Sequence, residues 1–315
     1  MSNPKVSILI PTYNYAHYLG ETIQSALEQT YSDFELLIVD NHSTDNTKQI
    51  INKYLKDPRI SYHENAENLG VVGNFNRCLQ LANGEYIKFL CADDKFHPQL
   101  LEKYVPIMDQ HPNVSLITCD KQAFGSKTHQ TITPLKYMQN GREANLHMLI
   151  GNYCWIGEPT SVMFRKRDLK VGNFSSEYSQ YPDWDMWIRL LTVGDCYIVP
   201  EILAYVRFHP GTNSKAQKKK RFSLCFEEYK LCKDVQQQKY NIDTTDSGID
   251  EAVRKRAAFC IRQAMLKNIP ELYKKQSRLA FAKAFKIAYK ERLFLTTISE
   301  LFSGVKRRTF RLIAK

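Results

Sequence analysis

Two adjacent carboxylates, Asp93 and Asp94, follow a short apolar stretch of the chain. Carboxylates that are removed from water are costly unless a positive charge neutralises them. A divalent cation that also binds a diphosphate supplies this charge, because Mg²⁺ and Mn²⁺ prefer oxygen ligands from one or two carboxylates and from phosphates. The pair therefore indicates a site for a metal and a diphosphate, or else a solvated loop that caps the next helix.

A third carboxylate, Asp183, opens a segment from Trp184 to Leu191 in which apolar residues recur at helical spacing. A base at this position would take the proton from a hydroxyl group as that group attacks a substrate. The ordinary alternative is a helix N-cap, for which Asp is among the preferred residues. Asp185 is the rival for the role of base.

An aromatic and two polar side chains stand at the ends of the first two apolar stretches. Tyr13 follows the first stretch, and Asp40 and Asn41 follow the second. An aromatic face with an amide or a carboxylate suits a nucleotide base, although Asn and Asp are also common in the turns that follow strands. The glycine-rich motif of a P-loop or of a dinucleotide site does not follow the first stretch, so neither class is indicated.

The elements that must position these side chains alternate between strands and helices. Apolar stretches predict strands at 6–10, 34–39, 60–62, 86–90, 114–119 and 196–202, with helices at 16–29, 70–82 and 98–110. This alternation predicts an α/β fold with a mostly parallel sheet flanked by helices. In such sheets ligands bind beyond the carboxyl ends of the strands, which is where Tyr13, Asn41 and Asp93 fall.

The charge of the chain is uneven and indicates two regions. Lys and Arg number 44 against 33 Asp and Glu in the whole chain, and residues 216–315 alone carry 24 against 10. The preceding residues are slightly acidic, whereas a nucleic-acid enzyme usually has basic residues around its cleft, so nucleic acid is not expected as a partner. We predict a catalytic domain at 1–215 and a basic helical region at 216–315.

The cysteines and the apolar stretches of the chain indicate its cellular compartment. The eight cysteines include no Cys-x-x-Cys pair, which favours buried thiols in a reducing compartment. The apolar run that ends at Pro11 is too short for a signal sequence, and no run approaches the ~20 residues of a spanning helix. We expect a cytoplasmic protein, either free or attached peripherally to the inner face of the cell membrane.

The last part of the basic region, 291–315, mixes apolar and cationic side chains at helical spacing. Such a segment can lie on an anionic membrane, where each cation contributes about 1 kcal/mol. The alternative is that these helices pack on the catalytic domain or on the second subunit of a homodimer. The sequence favours the membrane for 291–315 and ordinary packing for 251–290.

Several segments, taken together and in order, resemble the family 2 glycosyltransferases over about residues 5–213. The matching segments are 6–14, 25–35, 39–45, 68–70, 84–87, 89–94 and 183–190. The resemblance implies a GT-A fold, which is Rossmann-like, here with a C-terminal helical appendage. It also implies inverting, single-displacement transfer of a sugar from a nucleotide-sugar donor to a hydroxyl of a glycan or lipid-linked glycan, with Mn²⁺ or Mg²⁺ as cofactor.

The same resemblance implies which residues bind the donor. Pro11 and Tyr13 correspond to contacts with the base, at the edge of the sheet that also carries Asp40. Asn41 stands where many relatives have an Asp that reads a uracil edge. Asp93 corresponds to a contact with the ribose.

The resemblance assigns the chemistry to a second group of residues. Asp94 corresponds to the metal ligand and Asp183 to the catalytic base. Glu158 falls in a segment that resembles a loop on the acceptor side. Arg207 and His209 fall in a segment that resembles a lid over the diphosphate.

Two other classes of protein compete with this interpretation. A sugar nucleotidyltransferase is also α/β and metal-dependent, but it would need a Gly- and Arg-rich loop where this chain has Pro-Thr-Tyr-Asn at 11–14. A non-catalytic protein on the same scaffold could use the basic region to bind a membrane or nucleic acid. The retained carboxylates Asp93, Asp94 and Asp183 argue against that loss of catalysis.

Overall fold

The computed structural model describes residues 3–151, 153–209, 221–268 and 275–293, which form two compact units. The first unit comprises residues up to 148 and from 153 to 209 of the described chain, and it contains all of the described strands and every helix that begins before residue 209, apart from the last residues of the helix Gly141–Gly151. The second unit contains the last three helices together with residues 149–151.

Ten strands form the sheet of the first unit. They are β1 (Val6–Thr12), β2 (Phe34–Asp40), β3 (Ile60–Glu64), β4 (Tyr86–Phe89), β5 (Lys95–Phe96), β6 (Val114–Gly125), β7 (His129–Thr131), β8 (Tyr137–Gln139), β9 (Met163–Arg165) and β10 (Asp195–Phe208). The helices that accompany them are α1 (Ala16–Leu27), α2 (Thr47–Asn52), α3 (Gly70–Leu81), α4 (Leu100–Gln110), α5 (Gly141–Gly151) and α6 (Pro182–Leu190), with 3₁₀ turns at Pro159–Ser161 and Lys166–Val171.

The sheet is mixed rather than uniformly parallel. Its order is β3-β2-β1-β4-β9-β6-β10-β5, with β7 paired to β6 and β8 paired to β10. The predicted parallel arrangement holds for β3-β2-β1-β4 and for β6 with β10, whereas β9 runs antiparallel to both β4 and β6. Parallel neighbours need a long crossover. Among the antiparallel pairs, β7 returns along β6 after a short turn, whereas β8 and β9 pair with strands that are distant in the sequence.

The strands at the centre of the sheet are apolar because helices cover them. Nearly every residue of β1, β2 and β4 is buried, as expected for parallel strands of an α/β fold. Lys88, in β4, departs from this apolar pattern, because it carries an ionisable amine and has no exposed surface.

The register of the strands determines which residues meet at the edge of the sheet. Thr12 at the end of β1 pairs with Asp40 at the end of β2, and Leu9 pairs with Phe89 at the end of β4. The Asn41 N–H then donates to the carbonyl of Thr12 at 2.9 Å. The residues that follow β1, β2 and β4 therefore emerge at one edge.

The second unit consists of α7 (Arg221–Gln236), α8 (Ile249–Asn268) and α9 (Lys275–Lys290). Within the described part of the chain, no helix combines the length and the apolar character that crossing a membrane requires. Of the segment 291–315, for which we predicted membrane attachment, only residues 291–293 belong to the described chain. That prediction therefore lies almost entirely outside the described residues.

Candidate active site

The carboxylate of Asp94 is buried in the turn after β4, with 4% of the residue exposed. Its Oδ1 accepts the backbone N–H of Arg207 at 2.8 Å, and its Oδ2 accepts the hydroxyl of Thr160 at 2.6 Å. Burial and the neighbouring charge of Asp93 raise the pKa of Asp94 well above its usual range. Both of its contacts are neutral donors, so the carboxylate is hydrogen-bonded without being neutralised.

Asp93 is held beside Asp94 by the end of β10. Its Oδ2 lies 3.1 Å from Nε2 of His209, and its backbone carbonyl accepts Nε–H of Arg207 at 2.8 Å. Burial raises the pKa of Asp93, and His209 counteracts part of that effect. The structure thus brings Arg207 and His209 onto the carboxylate pair.

The guanidinium of Arg207 is fixed by its neighbours on the other side. It lies 4.5 Å from the ring centre of Tyr18 and 4.3 Å from that of Phe124. Its Nη2 donates to Glu21 at 2.8 Å, and this contact lowers the pKa of Glu21. A lid role for the segment that carries Arg207 remains a prediction, and in this structure the side chain anchors β10 to α1.

The segment 157–161 connects the carboxylate pair to α6. Thr160 touches Asp94, and Glu158, about half exposed, lies 3.8 Å from the Nζ of Lys121. The carbonyl of Gly157 accepts the indole N–H of Trp187 in α6 at 3.0 Å. This segment includes the predicted acceptor-side residue Glu158, whose charge contributes to raising the pKa of both Asp94 and Asp183.

Asp183 lies in the first turn of α6, but it does not cap the helix. The N-cap is Tyr181, and the carboxylate of Asp183 accepts the N–H of Trp184 at 2.9 Å. Removal from water, with a smaller contribution from the charge of Glu158, raises the pKa of Asp183 to about 6. A half-buried carboxylate with that pKa can hold a proton taken from a hydroxyl near neutral pH.

The rival carboxylate, Asp185, is committed to an ion pair. It is 3% exposed, and its Oδ2 accepts Nη2 of Arg189 at 2.8 Å and Nε at 3.1 Å. The same guanidinium donates to the carbonyls of residues 171–173. Asp185 therefore orients the arginine that ties α6 to the preceding turn, and this contact argues against its being the base.

Replacing Asp185 with alanine is expected to lower the free energy of unfolding and to have little effect on kcat. The change leaves the charge of Arg189 unpaired in a mostly buried position, which costs about 3 kcal/mol or more. Chemical unfolding gives the loss of stability, and kcat of the folded fraction gives the effect on catalysis. A stable variant with abolished kcat would move the role of base from Asp183 to Asp185.

At the opposite end of the edge, Tyr13 is 42% exposed and Pro11 is half-buried. Asn14, which follows, has a φ of 58°, in the left-handed region that Asn tolerates. Its side-chain oxygen accepts the N–H of Thr44 at 2.8 Å. This contact ties the turn after β1 to the turn after β2 and leaves the ring of Tyr13 accessible.

Asp40 and Asn41 are both engaged with protein. Asp40 accepts both the N–H and the hydroxyl of Ser43, at 3.0 and 2.6 Å, and the hydroxyl of Tyr62 at 3.2 Å. Such contacts hold the turn after β2. A direct contact of Asp40 with a donor remains a prediction.

The side-chain amide of Asn41 uses its whole hydrogen-bonding capacity within the protein. Its Nδ2 donates to Oδ1 of Asn68 at 2.8 Å and to the carbonyl of Gly70 at 3.2 Å. Its Oδ1 accepts from Asn65 at 3.1 Å and from the N–H of Leu69 at 2.8 Å. An amide has two donor hydrogens and two acceptor lone pairs. In this arrangement Asn41 fixes the segment 65–70, and its predicted contact with the base would require that segment to move.

The chemistry of the carboxylate pair fits a divalent cation only in part. Among the described residues, no three His, Cys, Asp or Glu side chains are grouped to enclose a metal ion. Asp94 offers a buried oxygen without a cationic partner, and Asp93 lies beside it. Mn²⁺ and Mg²⁺ are often bound by one or two carboxylates with the remaining ligands from phosphates and water, and this donor set suits that mode.

Two residues of the site were not assigned a role from the sequence. Thr160, whose hydroxyl donates to Asp94, lies in the segment that resembles an acceptor-side loop, but that resemblance gives it no individual role. Lys88, whose Nζ donates to the carbonyls of Thr160 and Val162, was detectable as the lone charge in a buried strand. That Lys88 lies beneath the site could be seen only in the folded structure.

Comparison with known proteins places the chain in a family. The family model Glycosyl transferase family 2 matches residues 7–171. Curated bacterial relatives are 30–31% identical over 214–226 residues, and the chain spans about two thirds of their length. The putative teichuronic acid biosynthesis glycosyltransferase TuaG of Bacillus subtilis is 40% identical over 106 residues, covering 33% of this chain and 42% of that protein.

Two solved structures resemble the fold. TarS 1–349 of S. aureus, in complex with UDP-GlcNAc, has a TM-score of 0.69 at 16% identity, covering 98% of this chain and 92% of that one. The mannosyltransferase PcManGT of Pyrobaculum calidifontis, in complex with GDP-Man and Mn²⁺, has a TM-score of 0.56 at 16% identity, covering 99% and 88%. These similarities concern the fold alone.

The chain belongs to glycosyl transferase family 2 and has the GT-A fold. It is therefore a glycosyltransferase, and the predicted α/β fold and enzyme class are confirmed. The nucleotidyltransferase and the non-catalytic scaffold are set aside.

Proposed function

We propose that this glycosyltransferase is inverting and metal-dependent, and that Asp183 is its base. The observation that carries the proposal is that two carboxylates lie in different surroundings and that one segment of the chain connects them. Asp94 is buried without a cation, Asp183 has a pKa of about 6, and residues 157–161 connect them. The first environment suits a diphosphate with its counter-ion, and the second suits proton abstraction.

The proposed reaction is a single displacement at the anomeric carbon of the donor sugar. Asp183 takes the proton of the acceptor hydroxyl while the oxygen of that hydroxyl forms a bond to the anomeric carbon. The bond from this carbon to the diphosphate oxygen breaks, and its electron pair leaves with the nucleoside diphosphate. Attack from the face opposite the leaving group inverts the configuration, so one base is sufficient.

Asp94, with Asp93 beside it, would hold Mn²⁺ or Mg²⁺ at the diphosphate. When bound, the cation neutralises negative charge on the leaving group. PcManGT, of similar fold, was solved with Mn²⁺, which supports this proposal. The chain's own part is to keep the two carboxylates oriented, through Thr160, the backbone of Arg207 and His209.

The donor is proposed to be a nucleoside-diphosphate sugar with its base over Tyr13. Tyr13 is 42% exposed and directly follows Thr12, whose carbonyl accepts the N–H of Asn41. An exposed aromatic ring suits stacking of a planar base. The acceptor is proposed to be a hydroxyl of a glycan or lipid-linked glycan of a surface polysaccharide, and the relative TuaG, which is named for teichuronic acid biosynthesis, supports this proposal.

The test is a panel of nucleotide-sugars, each incubated with the purified protein, an oligosaccharide acceptor mixture and Mn²⁺. Release of the nucleoside diphosphate from one donor, its loss with a chelator and its recovery with Mn²⁺ are expected. NMR of the product should show the anomeric configuration opposite to that of the donor. Retained configuration, or turnover that a chelator does not affect, would contradict the mechanism.

We also propose that α9 contacts an anionic membrane surface. Its exposed face carries five cations and two large apolar side chains, and Lys275–Lys290 contains no acidic residue. The members of this face are Lys275, Arg278, Leu279, Lys283, Lys286, Tyr289 and Lys290, of which Leu279 is 55% and Tyr289 79% exposed. Exposed Tyr and Leu among cations suit the interface of an anionic bilayer. Residues 275–290, for which we predicted ordinary packing, thus present a face suited to lipid.

Reversing two charges on this face is expected to weaken binding to vesicles of anionic lipid. The double change Lys286→Glu and Lys290→Glu should reduce co-sedimentation with phosphatidylglycerol vesicles at least tenfold, because each cation contributes about 1 kcal/mol. The matched control is Arg254→Glu with Lys255→Glu on α8, which alters the net charge equally. Equal loss in both variants would show a general charge effect. Lipid-independent self-association that only the α9 change abolishes would assign the face to a homodimer.

A further inference from the structure

Lys88 is a fully buried cation that has no carboxylate partner among its contacts. Its Nζ donates to three backbone carbonyls, those of Thr160, Val162 and Phe89, and it lies 4.5 Å from the ring centre of Phe96. A lysine ammonium has three donor hydrogens, so its capacity is matched by these three acceptors. Burial lowers the pKa of Lys88 to about 7, which shows how strongly the fold opposes its charge.

The carbonyls that Lys88 holds belong to the segment that contacts Asp94. Thr160 accepts Lys88 through its carbonyl, and its hydroxyl accepts the N–H of Cys91 at 3.2 Å while donating to Asp94 at 2.6 Å. Because the hydroxyl has a single hydrogen, acceptance from Cys91 fixes the direction in which that hydrogen points. The orientation of the Asp94 carboxylate therefore depends on where Lys88 holds Thr160.

We propose that Lys88 is a positioning residue of the transfer reaction, which acts on the metal-binding carboxylate of Asp94 through Thr160. The inference rests on the proposed function, since it assumes that Asp94 binds the cation. Residues that orient a metal ligand typically alter metal affinity or activity 10–100-fold when they are replaced. A lysine with only a packing role would alter stability and leave metal affinity unchanged.

The chain offers a matched control in Arg165, at the other end of the same pair of strands. Arg165 is 3% exposed and likewise donates to backbone carbonyls, those of Val114, Met108 and His111. It pairs with Tyr86, at the start of β4, away from the edge that carries Asp94. Arg165→Met therefore removes a buried cation from three carbonyls without touching the site.

The experiment measures binding of Mn²⁺ together with UDP, and separately with GDP, by electron paramagnetic resonance of the free ion. No turnover is needed for this readout. Lys88→Met is expected to raise the apparent Kd of Mn²⁺ roughly 10–100-fold, and Thr160→Val is expected to raise it similarly. The double variant should add little to either single change, because both act along one path. Arg165→Met should lower the unfolding midpoint and leave the Kd within about threefold of the wild type.

Three results would overturn the inference. The first is a Lys88→Met variant with the Kd of the wild type, and the second is a Thr160→Val variant with that Kd. The third is an Arg165→Met variant that weakens Mn²⁺ as much as Lys88→Met does. If Lys88→Met does not fold, Lys88→Gln keeps an amide group with two donor hydrogens, and a smaller rise in the Kd of Mn²⁺ is expected. Failure of the wild type to bind Mn²⁺ with either nucleotide would instead overturn the proposed metal dependence.

Discussion

Asp94→Ala is expected to abolish sugar transfer and Mn²⁺-dependent binding of the donor while the protein stays folded. The buried carboxylate is hydrogen-bonded only to neutral groups, so it is available to a cation at the diphosphate. Loss of a charge-stabilising group in a water-excluded site lowers kcat on the order of 10³-fold. Because burial raises the pKa of Asp94, the ionised side chain opposes folding at neutral pH, and its removal should cost little stability.

The measurements are initial rates at saturating Mn²⁺, donor binding with and without Mn²⁺, and the unfolding midpoint. Asp109→Ala is the control, because that carboxylate pairs with Lys5 and Tyr86 at the start of β4. Its activity should match that of the wild type. A variant at Asp94 that keeps full Mn²⁺-dependent activity would remove this residue from the metal site.

Asp183→Asn is expected to lower kcat roughly 10²–10⁴-fold, the usual contribution of a general base. The amide keeps the size of the side chain and its contact with the N–H of Trp184. The affinity for the donor should be unchanged, because the change leaves Asp94 and the proposed contact of the nucleobase with Tyr13 untouched. A higher KM for the donor with an unchanged kcat would show that Asp183 binds substrate rather than taking a proton.

The pKa of Asp183 also predicts the pH dependence of the wild-type enzyme. In the free enzyme the basic form exists above a pKa of about 6, so kcat/KM should fall tenfold per pH unit as the pH drops below that value. The charge of Glu158 is one of the causes that raise this pKa, and Glu158→Gln should therefore move the acidic limb to lower pH. An acidic limb that stays in place in Asp183→Asn would belong to another group.

Much of the fold was predictable, because the strands and helices of its first half follow one another in the sequence and pack as neighbours. The strands from Val6 to Phe89 are apolar runs separated by amphipathic helices, and their parallel order follows from that alternation. The strands β5, β7, β8 and β9 were not predicted. They are two or three residues long, and pairing with distant partners rather than their own pattern defines them.

The site was predictable to the level of residue classes but not of contacts. Asp183 and Asp185 occupy the same helical turn, and only the position of Arg189 distinguishes them. The exchange of an Asp for Asn41 could be noticed in the sequence. Its meaning depends on Asn65 and Asn68, whose approach follows from the loop before α3. Lys88 shows the same limit, because a lone charge in a strand does not reveal what it holds.

The hydrogen bond from Arg207 to Asp94 connects residues that are 113 positions apart in sequence. Contacts of such separation require the closure of a long loop, and they tend to form late in folding. The strands β3, β2, β1 and β4 pair with one another within the first part of the chain. The candidate active site, in contrast, is complete only when the end of β10 packs beside Asp93 and Asp94. A local opening that releases this strand end would separate Arg207 and His209 from the carboxylates while most of the sheet persists. We therefore expect activity to be lost at lower denaturant concentration than the structure of the sheet.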